Sequence, residues 1–171
     1  MNVVETSSQG PRGGKSASAT RAGWWRPAVT GAAAFWCANL AISLTPVAAA
    51  YRSAMSIGYL PMLVEAAAGG LLVATGVSAV AMRLSGRPRG LSPMHRALML
   101  SGIALVLVTL VVEVPSKLGS GVADPTHWLL VATVFNVIRL WALGVAIGLV
   151  LGRDGPRSRP EVQRRAEGEL P

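Results

Sequence analysis

The sequence predicts an all-α protein: a bundle of four transmembrane helices with both termini cytoplasmic. Three observations predict it. Half of the residues are apolar and 14% are charged, yet the net charge is +8. The apolar residues gather in four runs, each near the roughly 20 residues that a helix needs to cross a bilayer. The basic residues fall between those runs, and very unevenly. For one soluble fold, such composition and charge conflict; for a membrane protein with basic ends they agree. Nucleic-acid binding, the other usual reading of a high net positive charge, is set aside because the basic residues occupy separate short segments and not one folded face.

Residues 1–23 are polar, rich in Gly and Ser, and without apolar periodicity. They are expected to be disordered. Trp24 and Trp25 mark a headgroup-level belt. Span one covers about residues 27–50, with Pro27 suited to a first helical turn. Span two covers about 60–83, again with a proline, Pro61, at its start. Span three covers about 93–114; Ser92-Pro93 reads as a cap followed by the first helical residue, and Pro115 is expected to stop the helix. Span four, about 125–152, opens with the same grammar in Asp124-Pro125. Residues 154–171 form a polar tail. The domain layout is therefore a basic tail over 1–23, a membrane domain over 24–153 and a C-terminal tail.

Orientation follows from the Lys and Arg counts beside the spans. Arg12, Lys15, Arg21 and Arg26 precede span one. Arg83, Arg87, Arg89 and Arg96 flank the second loop, and Arg153, Arg157, Arg159, Arg164 and Arg165 follow span four. The other two loops carry Arg52 and Lys117. Thirteen against two puts both tails inside. The basic segments are expected to meet anionic headgroups. Fourteen arginines against two lysines, with abundant Ala, Gly and Val, suggest a GC-rich bacterial genome and hence a bacterial plasma membrane.

The last run holds Arg139 near its middle. A guanidinium keeps its proton, and at that depth a charge costs about 2.5–3.5 kcal/mol on insertion scales. Helical spacing puts Arg139 on a face with Ala132, Asn136, Ala142 and Ala146, so this face is expected to point into the bundle. Its side chain leans toward the start of the helix, where Glu65 of span two and Glu113 of span three lie about a turn inside the boundary. Arg139 is therefore expected to pair with Glu65 or Glu113, with Asn39 or Asn136 completing the hydrogen bonds. Such a cluster is either a static clamp or a proton or anion site.

Two ladders of small residues suggest close helix packing. Ala66, Gly70, Ala74 and Ser78 form one on span two; Gly144, Gly148 and Gly152 form another on span four. Packing within the bundle is the first expectation, and a seam between two copies, or within a larger membrane complex, is the alternative.

No catalytic, cofactor or metal site is expected. His95 and His127 lie at opposite ends of a hydrocarbon core about 30 Å thick, so they cannot share a ligand. Cys37, the single cysteine, reads as packing. Glycine-rich phosphate loops beside a lysine are absent, and Lys117 and Arg52 read equally as partners of anionic headgroups outside or as solvated loop charges.

Val114-Pro115, followed by Trp128, Asn136, Arg139 and Ala142, resembles the small four-helix membrane proteins grouped with anthrone oxygenases and their DoxX-like relatives. The resemblance covers about 40 residues, within spans three and four only. It implies a four-helix bundle with an inward arginine and brings no catalytic signature. The family tends to show Asn after the proline, where this chain has Ser116.

Three functions fit these features. The first is an accessory or structural membrane component without its own catalysis. The second is a small transporter or channel subunit with a Glu/Arg relay. The third is a membrane enzyme acting on a small lipophilic substrate, which requires a cavity containing Asn39 and the acids.

Overall fold

The computed structural model describes residues 23, 25–85 and 91–153. The expected N-terminal tail (Gly23 apart), Trp24, the basic loop residues 86–90 and the C-terminal tail lie outside the described residues. Among the described residues the chain is all-helical, without strands.

Helix α1 runs Trp25–Ser43 and α2 runs Pro46–Ala54. The single span expected over 27–50 is thus broken, and the two pieces meet at 87°. Thr45-Pro46 supplies the reason. A proline lacks the N–H that would continue the helix, and it drives the preceding residue to extended backbone. Thr45 sits there, at φ −82° and ψ 150°. Its Oγ1 donates to the Ile42 carbonyl at 2.7 Å and accepts from the Ala48 N–H at 3.2 Å. One side chain therefore closes α1 and caps α2. Arg52 donates from Nη1 to the Ser43 carbonyl at 3.1 Å, satisfying one of the acceptors that a helix C-terminus leaves open.

Helix α3 runs Tyr59–Ser85. Helix α4 runs Pro93–Val108, capped by the Ser92 hydroxyl, which accepts from the His95 N–H. The expected stop at Pro115 is not made. Thr109–Glu113 forms a π-helical turn, in which the Val114 N–H reaches the Thr109 carbonyl, and α5, Val114–Gly119, continues from it. The wider turn places Pro115 in the first turn of a new segment, where its missing N–H is not required. Together these pieces make one apolar helix of 27 residues, Pro93–Gly119. Asp124, at φ 56°, accepts from the His127 N–H at 3.1 Å and starts α6, Pro125–Arg153.

Helix α6 packs against α1 and α4, α3 packs against α1, and α4 closes the ring against α3. Neighbours are antiparallel: Gly31 of α1 meets Ile147 and Ala74, while Gly70 of α3 meets Phe35. The bundle core is Phe35, Ala74, Val77, Ala97, Leu140, Leu143 and Ile147. A Cβ on Gly70 would lie 2.6 Å from the Phe35 ring, and one on Gly144 would lie 2.6 Å from the Ser101 hydroxyl. Ala74 and Ser78 are fully buried and Ala66 packs on the same core, so the α3 ladder is spent within the bundle. Gly144 and Gly148 are likewise occupied, by Ser101 and Met94 of α4, while a Cβ on Gly152 meets nothing.

The exterior is apolar. Leu72, Val111, Leu130 and Trp141 are each more than 60% exposed, and they lie on three different helices. So continuous an apolar surface is foreign to a soluble monomer. Cys37, expected to pack, is on this exposed surface of α1. Among the described residues, three helices are long and apolar enough to cross a membrane, and the bent pair α1–α2 makes a fourth if it counts as one span. Antiparallel packing gathers Arg26, Arg83, Arg96 and Arg153 at one end of the bundle, here the basic end. Helices α2 and α5 cover the other.

Candidate functional site

At the end covered by α2 and α5, four polar side chains form a chain of contacts. Arg139 donates from Nη1 to Asn136 Oδ1 at 3.2 Å. Asn136 donates from Nδ2 to Glu113 Oε1 at 2.9 Å. The second carboxylate oxygen of Glu113 lies 3.2 Å from Lys117 Nζ. The order is Arg139, Asn136, Glu113, Lys117. Helical spacing explains two of the three links, since Asn136 and Arg139 are three residues apart on α6 and Glu113 and Lys117 are four apart, and the packing of α6 beside the π turn supplies the Asn136–Glu113 link. Asn136 has both an acceptor and a donor, so it alone can stand between a guanidinium and a carboxylate in this way.

The expected direct pairing of Arg139 with an acid is therefore corrected. Among the described residues the counter-ion of Glu113 is Lys117, and Arg139 reaches the acid only through Asn136. Glu65 is exposed on α3 and makes no ion pair among the described residues. Lys117, read from sequence as a solvated loop charge, is 3% exposed. Its ammonium lies 5.0 Å from the centre of the Tyr51 ring. Tyr51 of α2 is in turn packed edge-on against Trp128 and Phe135 of α6, which fixes the roof over the cluster. Lys117 and Tyr51 are the two members that sequence reasoning missed. The signal for Lys117 was its i,i+4 spacing from Glu113, hidden by taking Pro115 as a stop.

Asn39 behaves differently from Asn136. It is fully buried, and among the described residues neither its Oδ1 nor its Nδ2 has a hydrogen-bond partner. A buried amide in that condition costs about 1–3 kcal/mol for each unmet group. The Nε of Arg139 is also buried and without a partner. Both residues line the same cavity, of about 330 Å³. Its polar wall also includes Glu65, Glu113, Asn136 and Lys117, with the hydroxyls of Ser43, Tyr51 and Ser116, and its apolar wall includes Phe35, Ile42, Val112 and Leu140. That size and mixture, apolar walls with a few convergent polar groups, are those of a small-molecule pocket. Below it, Leu140, Leu143 and Ile147 are almost fully buried and close the interior.

His95 is bonded to its own cap, Ser92, while His127 lies against Trp128 at the other end. Among the described residues, no three His, Cys, Asp or Glu side chains come close enough to hold a metal ion. Fold and surface together define a helical membrane protein with a polar cavity at one end. Comparison with protein-family models, curated proteins and solved structures finds no match to this chain.

Proposed function

We propose that this protein binds a small amphiphilic molecule in the cavity around Asn39. One observation carries the reading: a fully buried amide, with neither atom satisfied, lines a cavity large enough for a ligand group. A purely structural clamp needs no such cavity and favours a leucine there. A relay across the membrane needs ionisable groups along the whole bundle, and the core below Leu140, apolar apart from the buried Ser78 and Ser101 hydroxyls, favours a blind pocket. Of the three functions the sequence leaves open, the premise of the third, a pocket for a small lipophilic molecule, has the most geometric support. The likeness to anthrone-oxygenase-like proteins stays a proposal for the four-helix framework.

We further propose four spans in a bacterial plasma membrane, with both termini cytoplasmic. Thirteen basic residues against two support this orientation. It turns the cavity to the outer leaflet and leaves the basic end against anionic headgroups.

Asn39→Leu tests the binding reading. The substitution removes an unsatisfied amide and keeps the volume nearly constant. Melting of the purified protein in detergent should show stabilisation by about 1–3 kcal/mol, while the variant fails to complement a deletion strain. Full complementation by the stabilised variant would overturn the proposal.

A further inference from the structure

A second space adjoins the first. Between α3 and α4 runs a groove of about 310 Å³ whose walls are wholly apolar residues and Gly76. These two helices meet less closely than the other long neighbours in the ring. A Cβ on Gly76 would touch nothing within 4 Å. Leu72, Val73 and Val108 line both the groove and the polar cavity, so the two spaces adjoin.

The charges restrict what can sit at the polar end. Arg139 and Lys117 bring two positive charges to the cavity wall, and Glu113 and the exposed Glu65 bring two negative charges. Glu113 is taken by Lys117 and Asn136, which leaves the Arg139 charge without an acid in contact among the described residues. The unpartnered Arg139 Nε and Asn39 Nδ2 are both donors. One negatively charged acceptor meets both donors and gives the Arg139 guanidinium an anion in contact, while the unpartnered Asn39 Oδ1 stays open to a donor.

We infer that cavity and groove form one site for a single-chain carboxylate amphiphile, its head at Arg139 and Asn39 and its acyl chain along the α3–α4 groove. This rests on the reading of the cavity as a binding site. The groove opens on the apolar exterior, where Leu72 and Leu107 are exposed beside it, so the ligand enters sideways from the bilayer.

The test uses the full chain in nanodiscs, labelled with a diazirine-bearing palmitate and competed with palmitate or hexadecanol. Labelling is expected in peptides spanning 72–80 and 100–108. Hexadecanol is expected to compete about 10- to 100-fold more weakly than palmitate, the loss of one charge-assisted contact. Arg139→Gln abolishes that difference. Gly76→Leu, which fills the groove from an open position, weakens palmitate about tenfold, and Val80→Trp at the groove's exposed edge gives the same block by a second route. Equal competition by acid and alcohol, or label spread evenly over every lipid-facing helix, overturns the proposal. If acid and alcohol compete equally but Asn39→Leu weakens both, the carboxylate class fails and the cavity reading survives. If Asn39→Leu changes neither, both fail.

Discussion

The two ends of the bundle are built on opposite principles. Toward the basic end, glycines and alanines bring helices together until side chains interlock: Gly144 on Ser101, Gly148 on Met94, Gly31 on Ile147. Toward the other end, α1 breaks, α4 widens into a π turn, and two short helices lie over a cavity lined with charge. In the first region the helices interlock closely around the core, even though the buried Ser78 and Ser101 hydroxyls find no hydrogen-bond partner among the described residues, and change there costs stability. In the second, Asn39 and Arg139 keep unmet hydrogen-bonding groups, and change there is expected to cost function. Irregular backbone at membrane depth is tolerated where it lines a cavity, and π turns are frequent at functional sites; here both features surround the same polar cluster.

Substitutions sharpen this contrast. Leu143→Ala, in the packed region and fully buried, is expected to lose about 2–5 kcal/mol in reversible unfolding; a loss similar to that of a lipid-facing leucine would break the distinction. Glu113→Gln leaves the buried Lys117 ammonium without its anion and is expected to cost about 3 kcal/mol. Lys117→Met in the same chain should recover most of that loss, since the uncompensated charge is gone. Gly70→Ala forces a methyl against the Phe35 ring and is expected to cost about 1–3 kcal/mol. Gly152→Ala, with open space around it, is expected to stabilise α6 slightly, by about 0.5–1 kcal/mol. A cost at Gly152 equal to that at Gly70 would show that another chain packs there.

Helical class was legible because long apolar runs bounded by prolines and caps admit little else. Ser92 and Asp124 are caps that sequence grammar can place. What could not be read was the treatment of two prolines. Pro46 lies in an apolar run that looks continuous, and only the Thr45 cap and the Arg52 contact to Ser43 make the break stable. Pro115 looks like a terminus, but a π turn absorbs it, and that turn carries Lys117 under Tyr51. The cluster was legible residue by residue, since Arg139, Asn136 and Glu113 are rare polar groups in apolar helices. Its wiring was not, because it depends on which side chain lies between which others. The isolation of Asn39 is a property of the space around it, and periodicity carries no information about that space.

The most direct measurement is a high-resolution structure of the full chain purified with its native lipids. The account predicts elongated density along the α3–α4 groove, ending within about 3 Å of the Asn39 amide and Arg139 Nε. A collapsed cavity, with both atoms of the Asn39 amide bonded to the protein itself, would contradict it.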